Sequence, residues 1–298
     1  MVETIHHDVS GTAFVVNYSR SRMEKISQDY FAHLWVTRDS IALWKDLAQN
    51  VYPNDDLNVS LRNRFYLGHL CQFLHEQKFQ RPVAVNIASG FTSYPYLIDE
   101  KCTFLEFDLP AIMEYKKKTV TRWMREKKLP ERSVHYFPID LNDAEQRGAM
   151  KEEFKRAIGS SPSFVILEGV TYYLQKDVLL DLISLLSEVQ TRGSVIAFDY
   201  WKPDAMSYPV MIRLKGYFDR KFGDRGTGWY LYDESFFRDI GGYTMKESAD
   251  IARLEVKYSP TRLFQGQDNK IPVYFSVLER VQAAKSDCLV STSIRTRE

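Results

Sequence analysis

Between residues 81 and 198 the sequence repeats one unit: a short apolar run, a turn of small or acidic residues, then a longer amphipathic stretch. The runs are 82–87 (PVAVNI), 102–107 (CTFLEF), 134–137 (VHYF), 163–167 (SFVIL) and 194–198 (SVIAF). Each is too short for a buried helix and carries β-branched or aromatic residues, so each reads as a strand. In the stretch between the last two runs, Leu179, Leu182, Ile183 and Leu186 share one face of a helix. Another helix is expected after Asp108-Leu109-Pro110, with Tyr115-Lys116-Lys117-Lys118 on a solvated face. Strands alternating with helices predict βαβ units and a mostly parallel, doubly wound sheet. Residues 252–258 (ARLEVKY) and 272–278 (PVYFSVL) alternate like an antiparallel pair, which predicts an α/β sheet finished by a C-terminal hairpin.

The first 80 residues read differently. Ile26, Tyr30 and Leu34 fall at i, i+4 and i+8, and Tyr66, Leu70, Phe73 and Leu74 repeat that spacing, which predicts two helices. Pro53 followed by Asn54-Asp55-Asp56 marks a break between them. A chain of 298 residues has room for one large domain or two small ones. The expected division is a helical cap over 1–80 sharing its core with an α/β unit over 81–281, a lid around 203–230, and a flexible tail over 282–298 (AAKSDCLVSTSIRTRE after Gln282).

Composition removes several function classes. Forty Lys and Arg against 39 Asp and Glu give a net charge of +1, so there is no basic field to hold nucleic acid. The three cysteines, Cys71, Cys102 and Cys288, form neither a disulfide framework nor a CxxC knuckle, and no His/Cys/carboxylate cluster has metal-ligand spacing, so no metal is expected. The opening MVETIHHDVS lacks the basic-then-apolar pattern of a secretory signal, and no apolar run approaches the roughly 18–20 residues of a membrane span. A cytoplasmic protein with no membrane partner is the expectation; nothing in the sequence sets its oligomeric state.

In an open α/β sheet ligands bind beyond the carboxyl ends of the strands. Four clusters fall there. In Asn86 to Ser93, the small residues Ala88-Ser89-Gly90 let a ligand approach the backbone, or simply make a turn. Asp108, eighteen positions after Gly90, is placed either to accept from ribose hydroxyls or to cap the helix after Pro110. Asp140-Leu141-Asn142-Asp143 suits an adenine edge or a plain turn. Glu168, closing an apolar strand and followed by Gly169, reads as a functional carboxylate or as a buried ion-pair partner.

VNIASGF, TFLEFDLPAIMEYKKK, PIDLND, PSFVILEGVTYYL and SVIAFDYW occur in one order, and together they resemble the leucine carboxyl methyltransferase family, which includes the tetracenomycin-type polyketide carboxyl O-methyltransferases. The likeness covers roughly residues 62–243, and the Glu-Phe-Asp-Leu-Pro and Leu-Glu-Gly-(x)-Thr-Tyr-(x)-Leu segments are its most specific parts. The resemblance implies a Rossmann-like methyltransferase fold with an N-terminal helical cap, and S-adenosylmethionine (SAM) as cofactor. It implies that Ala88, Ser89 and Gly90 wrap the methionine part, Asp108 holds the ribose, Asp140 and Leu141 bracket the adenine, and Glu168 sits near the amino group. Arg62, or its neighbour Arg64, would clamp the methionine carboxylate, and a basic residue of the family's cap matches Arg20 or Arg22. Many members have a second glycine where Ala88 stands, and Asp-Thr-Arg where this chain has Phe91-Thr92-Ser93-Tyr94-Pro95.

The implied reaction is methylation of a carboxylate on a small, aromatic or polyketide-like acid. Such a nucleophile is already ionised near neutral pH, so no general base is required, and positioning in a dry pocket suffices. With aromatic residues at 14%, such a pocket has ready walls: Tyr172, Tyr173, Tyr200, Trp201 and Trp229 fall at or beyond strand ends, although each could equally be packing. Arg213, Lys215 and Arg220 lie on the covering segment, where they either orient an acid, with Arg213 the first candidate, or are simply solvated. A hydroxyl acceptor would need a base; His135, inside a strand, is better read as a packed core residue. The alternative to an enzyme is a non-catalytic member that binds the cofactor or a partner protein, suggested by the altered Phe91-Thr92-Ser93 loop.

Overall fold

A computed structural model describes residues 9–77, 81–222, 228–238, 240–266, 268 and 270–281; the tail expected over 282–298 lies outside the described residues. The strands are β1 Val83–Ile87, β2 Thr103–Asp108, β3 Val134–Pro138, β4 Ser163–Leu167, β5 Val195–Trp201, β6 Tyr243–Asp250 and β7 Val273–Arg280. They form one sheet in the order β3-β2-β1-β4-β5-β7-β6. β1 to β5 are parallel, and β7 inserts antiparallel between β5 and β6. The chain moves outward from β1 to β3 and then returns to β4 on the other side of β1. That reversal opens a crevice beyond the carboxyl ends of β1 and β4.

Every residue of β1 and β4 is buried, as central strands covered on both faces require. Alternation divides the sheet between two cores. Ala84, Phe164, Ile166, Ala197 and Phe275 face one side, and Val85, Val165, Leu167, Ile196 and Phe198 face the other. The described helices are α1 Val9–Arg22, α2 Glu24–Ser27, α3 Arg38–Asn50, α4 Asp55–Glu76, α5 Tyr94–Leu97, α6 Pro110–Arg125, α7 Ala144–Ile158, α8 Lys176–Val189, α9 Pro209–Phe222, α10 Glu234–Arg238 and α11 Ile251–Tyr258. The first core is covered by α4, α9 and α11, and the second by α7 and α8. None of the described helices is long and apolar enough to cross a membrane.

α4 ties the N-terminal helices to the sheet. Its Phe65 ring lies 5.3 Å from Phe275 on β7, and its Phe73 ring lies 5.5 Å from Phe164 on β4. With Leu61, Phe65, Tyr66 and Leu70 wholly buried, at roughly 1.5–3 kcal/mol for each such side chain, this helix is part of the main core.

Three local expectations fail. Ile26, Tyr30 and Leu34 do not share a helix: α2 stops at Gln28, whose φ is 56°, and a 3-10 turn follows at Ala32–Trp35. Asp29 makes the bend, because its amide donates to Ser27 Oγ and its carboxylate accepts from the Phe31 amide, leaving Tyr30 exposed. Residues 252–258 form a helix, not a strand. Asp250 caps it by accepting from the Arg253 amide, and Ile251, Leu254 and Glu255 bury at helical spacing. The antiparallel partner of β7 is therefore β6. Finally, Lys116 does not lie on a solvated face. It is fully buried, with Nζ 2.7 Å from the equally buried Glu106 carboxylate.

Breaking that pair strands one buried charge, which typically costs about 3–5 kcal/mol. Lys116→Met should lower stability by that amount, and adding Glu106→Gln should recover much of it. Urea unfolding of the wild type and both variants measures this; equal midpoints for the wild type and Lys116→Met would refute it.

Candidate functional site

The loop after β1 is shaped by backbone geometry. Ala88 and Gly90 both sit in the left-handed region, at φ 56° and 47°. The Ser89 amide donates to Phe107 O at 3.1 Å, and the Gly90 amide donates to Asp108 Oδ2 at 2.6 Å. Asp108 Oδ1 accepts from the Leu109 amide, so this carboxylate ties the loop to the end of β2 and does not cap α6. Burial pushes its pKa up, with the two amides partly offsetting. Phe91 is packed under Trp35 of the N-terminal segment, ring centroids 4.6 Å apart and stacked. At the next strand end, Asp140 Oδ1 accepts from the Asn142 amide, and Leu141 is buried with its carbonyl accepting from Arg147.

Beyond β4 lies a buried network of charges. Glu168 Oε1 accepts from Arg20 Nη2 of α1 and from Arg62 Nε of α4, the latter at 2.9 Å. Its Oε2 accepts from the Tyr94 hydroxyl at 2.7 Å. Arg62 Nη1 lies 4.0 Å from Asp199 Oδ2 on β5, and Arg20 Nη1 lies 3.7 Å from Asp29. Asp199 Oδ1 accepts from Tyr66 of α4 at 2.6 Å and from the Gly169 amide at 2.7 Å. Glycine is required at 169: φ is 67°, and a Cβ would sit 3.3 Å from both Arg62 Nη1 and the Tyr172 hydroxyl. Burial alone would raise the Glu168 pKa, but Arg20 and Arg62 outweigh it and hold the group below the usual carboxylate range. At Asp199 burial wins, and the pKa is raised despite Arg62, Tyr66 and the Gly169 amide.

Next to the network is a cavity of about 130 Å³, walled mainly by apolar and aromatic side chains of α1, α3, α4, α9 and the strand ends. Tyr172 and Trp201 stack in parallel at 4.0 Å, and Trp229 meets Trp201 edge-on at 4.9 Å. Tyr173, Tyr217 and Phe218 complete the aromatic side, with Leu214 beside them, while Arg62, Asp199 and Asp55 bring charge to it.

The structure separates the candidate residues by position. Arg62 joins the network; Arg64 instead lies over the Tyr258 ring. Arg20 joins it too, whereas Arg22, itself exposed, pairs with Asp56. Tyr172, Tyr173 and Trp201 line the cavity, but Tyr200 does not: strand alternation turns it to the opposite face, against Phe237. Nor does Arg213, whose Nε donates to the carbonyl of Val51 at the end of α3. His135 lies on the edge strand β3 and is exposed. Of the lid expected over 203–230, α9 and Trp229 face the cavity, and residues 223–227 lie outside the described residues. Asp199, Tyr66, Tyr94 and Asp29 were missed. Asp199 alone had a signal, an acidic residue breaking the apolar run of β5. Among the described residues no group of His, Cys, Asp or Glu is arranged to hold a metal ion.

Residues 10–187, more than half of the chain, match the family model described as leucine carboxyl methyltransferase. A DUF574 family protein from Streptomyces avermitilis shares the fold, with a TM-score of 0.60 and 11% identity over 90% of this chain and 97% of that one. A protein from Thermobifida fusca put forward as a methyltransferase gives 0.62 and 14% identity, covering 92% and 97%. No curated protein sequence matches.

Two stability effects follow. Ala88 holds a conformation that costs an L-residue about 1–2 kcal/mol, so Ala88→Gly should stabilise by about 1 kcal/mol in chemical unfolding, and a loss of stability would contradict that. Glu168→Gln leaves two buried arginines without their shared anion, at a cost of about 3–5 kcal/mol near neutral pH. Because the folded-state pKa is depressed, the wild-type advantage is present above the ordinary carboxylate range and disappears as pH falls through the depressed value. Denaturation curves for both proteins at neutral and acid pH should show the gap closing on acidification.

Proposed function

The chain belongs to the leucine carboxyl methyltransferase family of SAM-dependent methyltransferases, and from that premise we propose that it methylates an oxygen of a small, ring-bearing acceptor held in the aromatic cavity. The observation that carries this reading is the double membership of Arg62. It pairs with Glu168 in the charged network and also lines the cavity, so one side chain joins a site suited to an amino acid to one suited to an apolar ring.

The residues present fit the cofactor. Arg20 is fully buried, yet its Nε and Nη1 donate no hydrogen bond among the described residues. Two arginines flanking one carboxylate are the donor set an α-amino acid needs, with guanidinium for its carboxylate and Glu168 for its ammonium. Asp108 would accept from the ribose hydroxyls, Asp140 and Leu141 would bracket the adenine, and the backbone of Ala88, Ser89 and Gly90 would lie along the methionine part. When bound, SAM supplies an electrophilic methyl group on a positively charged sulfur. The protein's own part is to orient the acceptor oxygen, exclude water and manage any proton.

The acceptor group divides two readings. A carboxylate needs a cation to spare, but among the described lining residues Arg62 is the only cation, it is engaged by Glu168, and Asp55 and Asp199 line the same space. These charges favour a neutral hydroxyl over the acidic acceptor that the family description suggests. A small acid, of the polyketide-like kind the sequence resemblance implies, is the second reading; the family description supports its carboxylate and not its polyketide character. The near-zero net charge suits a small-molecule acceptor better than nucleic acid.

Calorimetric titration should detect SAM binding by the wild type, and Asp108→Ala should weaken it about 10- to 100-fold, the worth of a hydrogen bond to a charged group. Unchanged affinity would refute the ribose assignment, and no SAM binding by the wild type would refute the function. A methylated product that resists alkaline hydrolysis marks the hydroxyl reading; a labile ester marks the carboxylate reading.

A further inference from the structure

We propose that Asp199 is the general base of this enzyme, taking the proton from a phenol-like hydroxyl seated against the Tyr172–Trp201 wall of the cavity. The proposal rests on the O-methyltransferase reading and narrows its substrate to a hydroxyl-bearing aromatic.

Geometry points to Asp199. It lies two residues before the end of β5, on the cavity face, and it lines the cavity while its side chain is inaccessible to bulk solvent. The two carboxylate oxygens are not equivalent. Oδ1 is held by the Tyr66 hydroxyl and the Gly169 amide, whereas Oδ2 is buried, accepts no hydrogen bond among the described residues, and has only Arg62 Nη1 at 4.0 Å. Tyr66 and Gly169 thus fix the carboxylate and leave one oxygen for an incoming donor. The side chain that leads from Asp199 to the cofactor's place is Arg62, which also holds Glu168. A donor for a second polar group is present as well: the Trp229 indole Nε1, also on the cavity wall, has no hydrogen-bond partner among the described residues.

The step balances. An oxygen lone pair of the hydroxyl forms the new O–CH3 bond, and the S–CH3 bond breaks with its electron pair going to sulfur. The hydroxyl proton passes to Asp199 Oδ2, which later releases it to solvent. A carboxylate and a sulfonium ion become a carboxylic acid and a neutral thioether, so two opposite charges vanish together in a dry site. Burial has already raised the Asp199 pKa, which brings the carboxylate closer to the basicity a phenol requires.

The groups that set this basicity are Arg62 and Tyr66 from α4, and Glu168, Tyr172 and Tyr173 from the segment after β4. Across the cavity stand Asp55, Tyr52 and Tyr217. β7 sets Phe275 beside Asp199 and adds no charge there.

The test compares 2-naphthol with 2-naphthoate as probes, first by calorimetric binding to the wild type without cofactor. Naphthol should bind about tenfold or more tightly, the factor that one charge-assisted hydrogen bond carries. Its affinity should rise with pH through the raised Asp199 pKa while that of naphthoate falls. In Asp199→Asn, whose amide oxygen can still accept from Tyr66 and Gly169, the preference should collapse. With SAM present, that variant should lose about 10²- to 10⁴-fold in kcat for naphthol, together with the acid limb of the pH profile, and keep its SAM affinity. A preference for naphthoate, or an Asp199→Asn variant with wild-type kcat and pH profile, would overturn the role of Asp199 and leave the methyltransferase reading standing. Failure of the wild type to bind SAM would overturn both. Because the binding preference and its pH dependence are read on the wild type, the proposal is tested even if the variant fails to fold.

Discussion

Glu168 is the point at which the cap and the sheet become one site. It closes the most central stretch of the sheet, β4, and receives Arg20 from α1, Arg62 from α4 and Tyr94 from the start of α5. Burying a carboxylate and two guanidinium groups is costly, and only close pairing with satisfied hydrogen bonds offsets it. The depressed pKa of Glu168 says that here the pairing prevails. The network adds little stability over an apolar core of equal volume. What it fixes is register: α1 and α4 have one orientation over the strand ends in which both arginines meet this carboxylate.

The aromatic cavity depends on that register. Arg62 and Tyr66 lie one turn apart on α4, so the same helix face that serves Glu168 also serves Asp199. Strand alternation then does the rest. Asp199 and Trp201 face the cap, and Tyr200 between them packs on the other side. A polar residue in the middle of an apolar strand is tolerable because Tyr66 and the Gly169 amide satisfy it, and Gly169 can approach because it has no side chain.

Much of this was legible in the sequence, for a physical reason. Central parallel strands are buried on both faces, so β1, β2, β4 and β5 announce themselves as apolar runs, and the residues that end them fall at the crevice by topology alone. The family resemblance singled out Arg62 and Glu168 for separate roles beside the cofactor, and the structure joins the two directly. Where local pattern was ambiguous the reading failed. ARLEVKY alternates like a strand, yet Ile251, Leu254 and Glu255 also fit a helical face, and the Asp250 cap decides it. Lys116 looked solvated among three lysines because nothing local reveals Glu106 beneath it. Tyr94 was obscure for the same reason: its partner Glu168 lies 74 residues along the chain. Tyr200 and Arg213 were chosen by proximity in sequence, which cannot tell one face of a strand from the other, or a pocket from a helix end.

α1 adds a constraint that neither half of the site has alone. Its Arg20 reaches Glu168, its Thr12, Val15 and Val16 wall the cavity, and its Ala13 Cβ would lie 3.7 Å from a Cβ at Gly90 in the loop after β1. One helix therefore borders the places proposed for the methionine end, the acceptor and the turn between them. Phe91 strengthens this, since its stacking on Trp35 anchors the loop to the N-terminal segment where family members commonly have Asp-Thr-Arg. A polar loop would meet the cofactor through its own side chains. Here the loop is held instead by aromatic packing. Arg20 and Arg62 meanwhile reach Glu168 from the cap helices, so both cations stand beside this loop without being part of it.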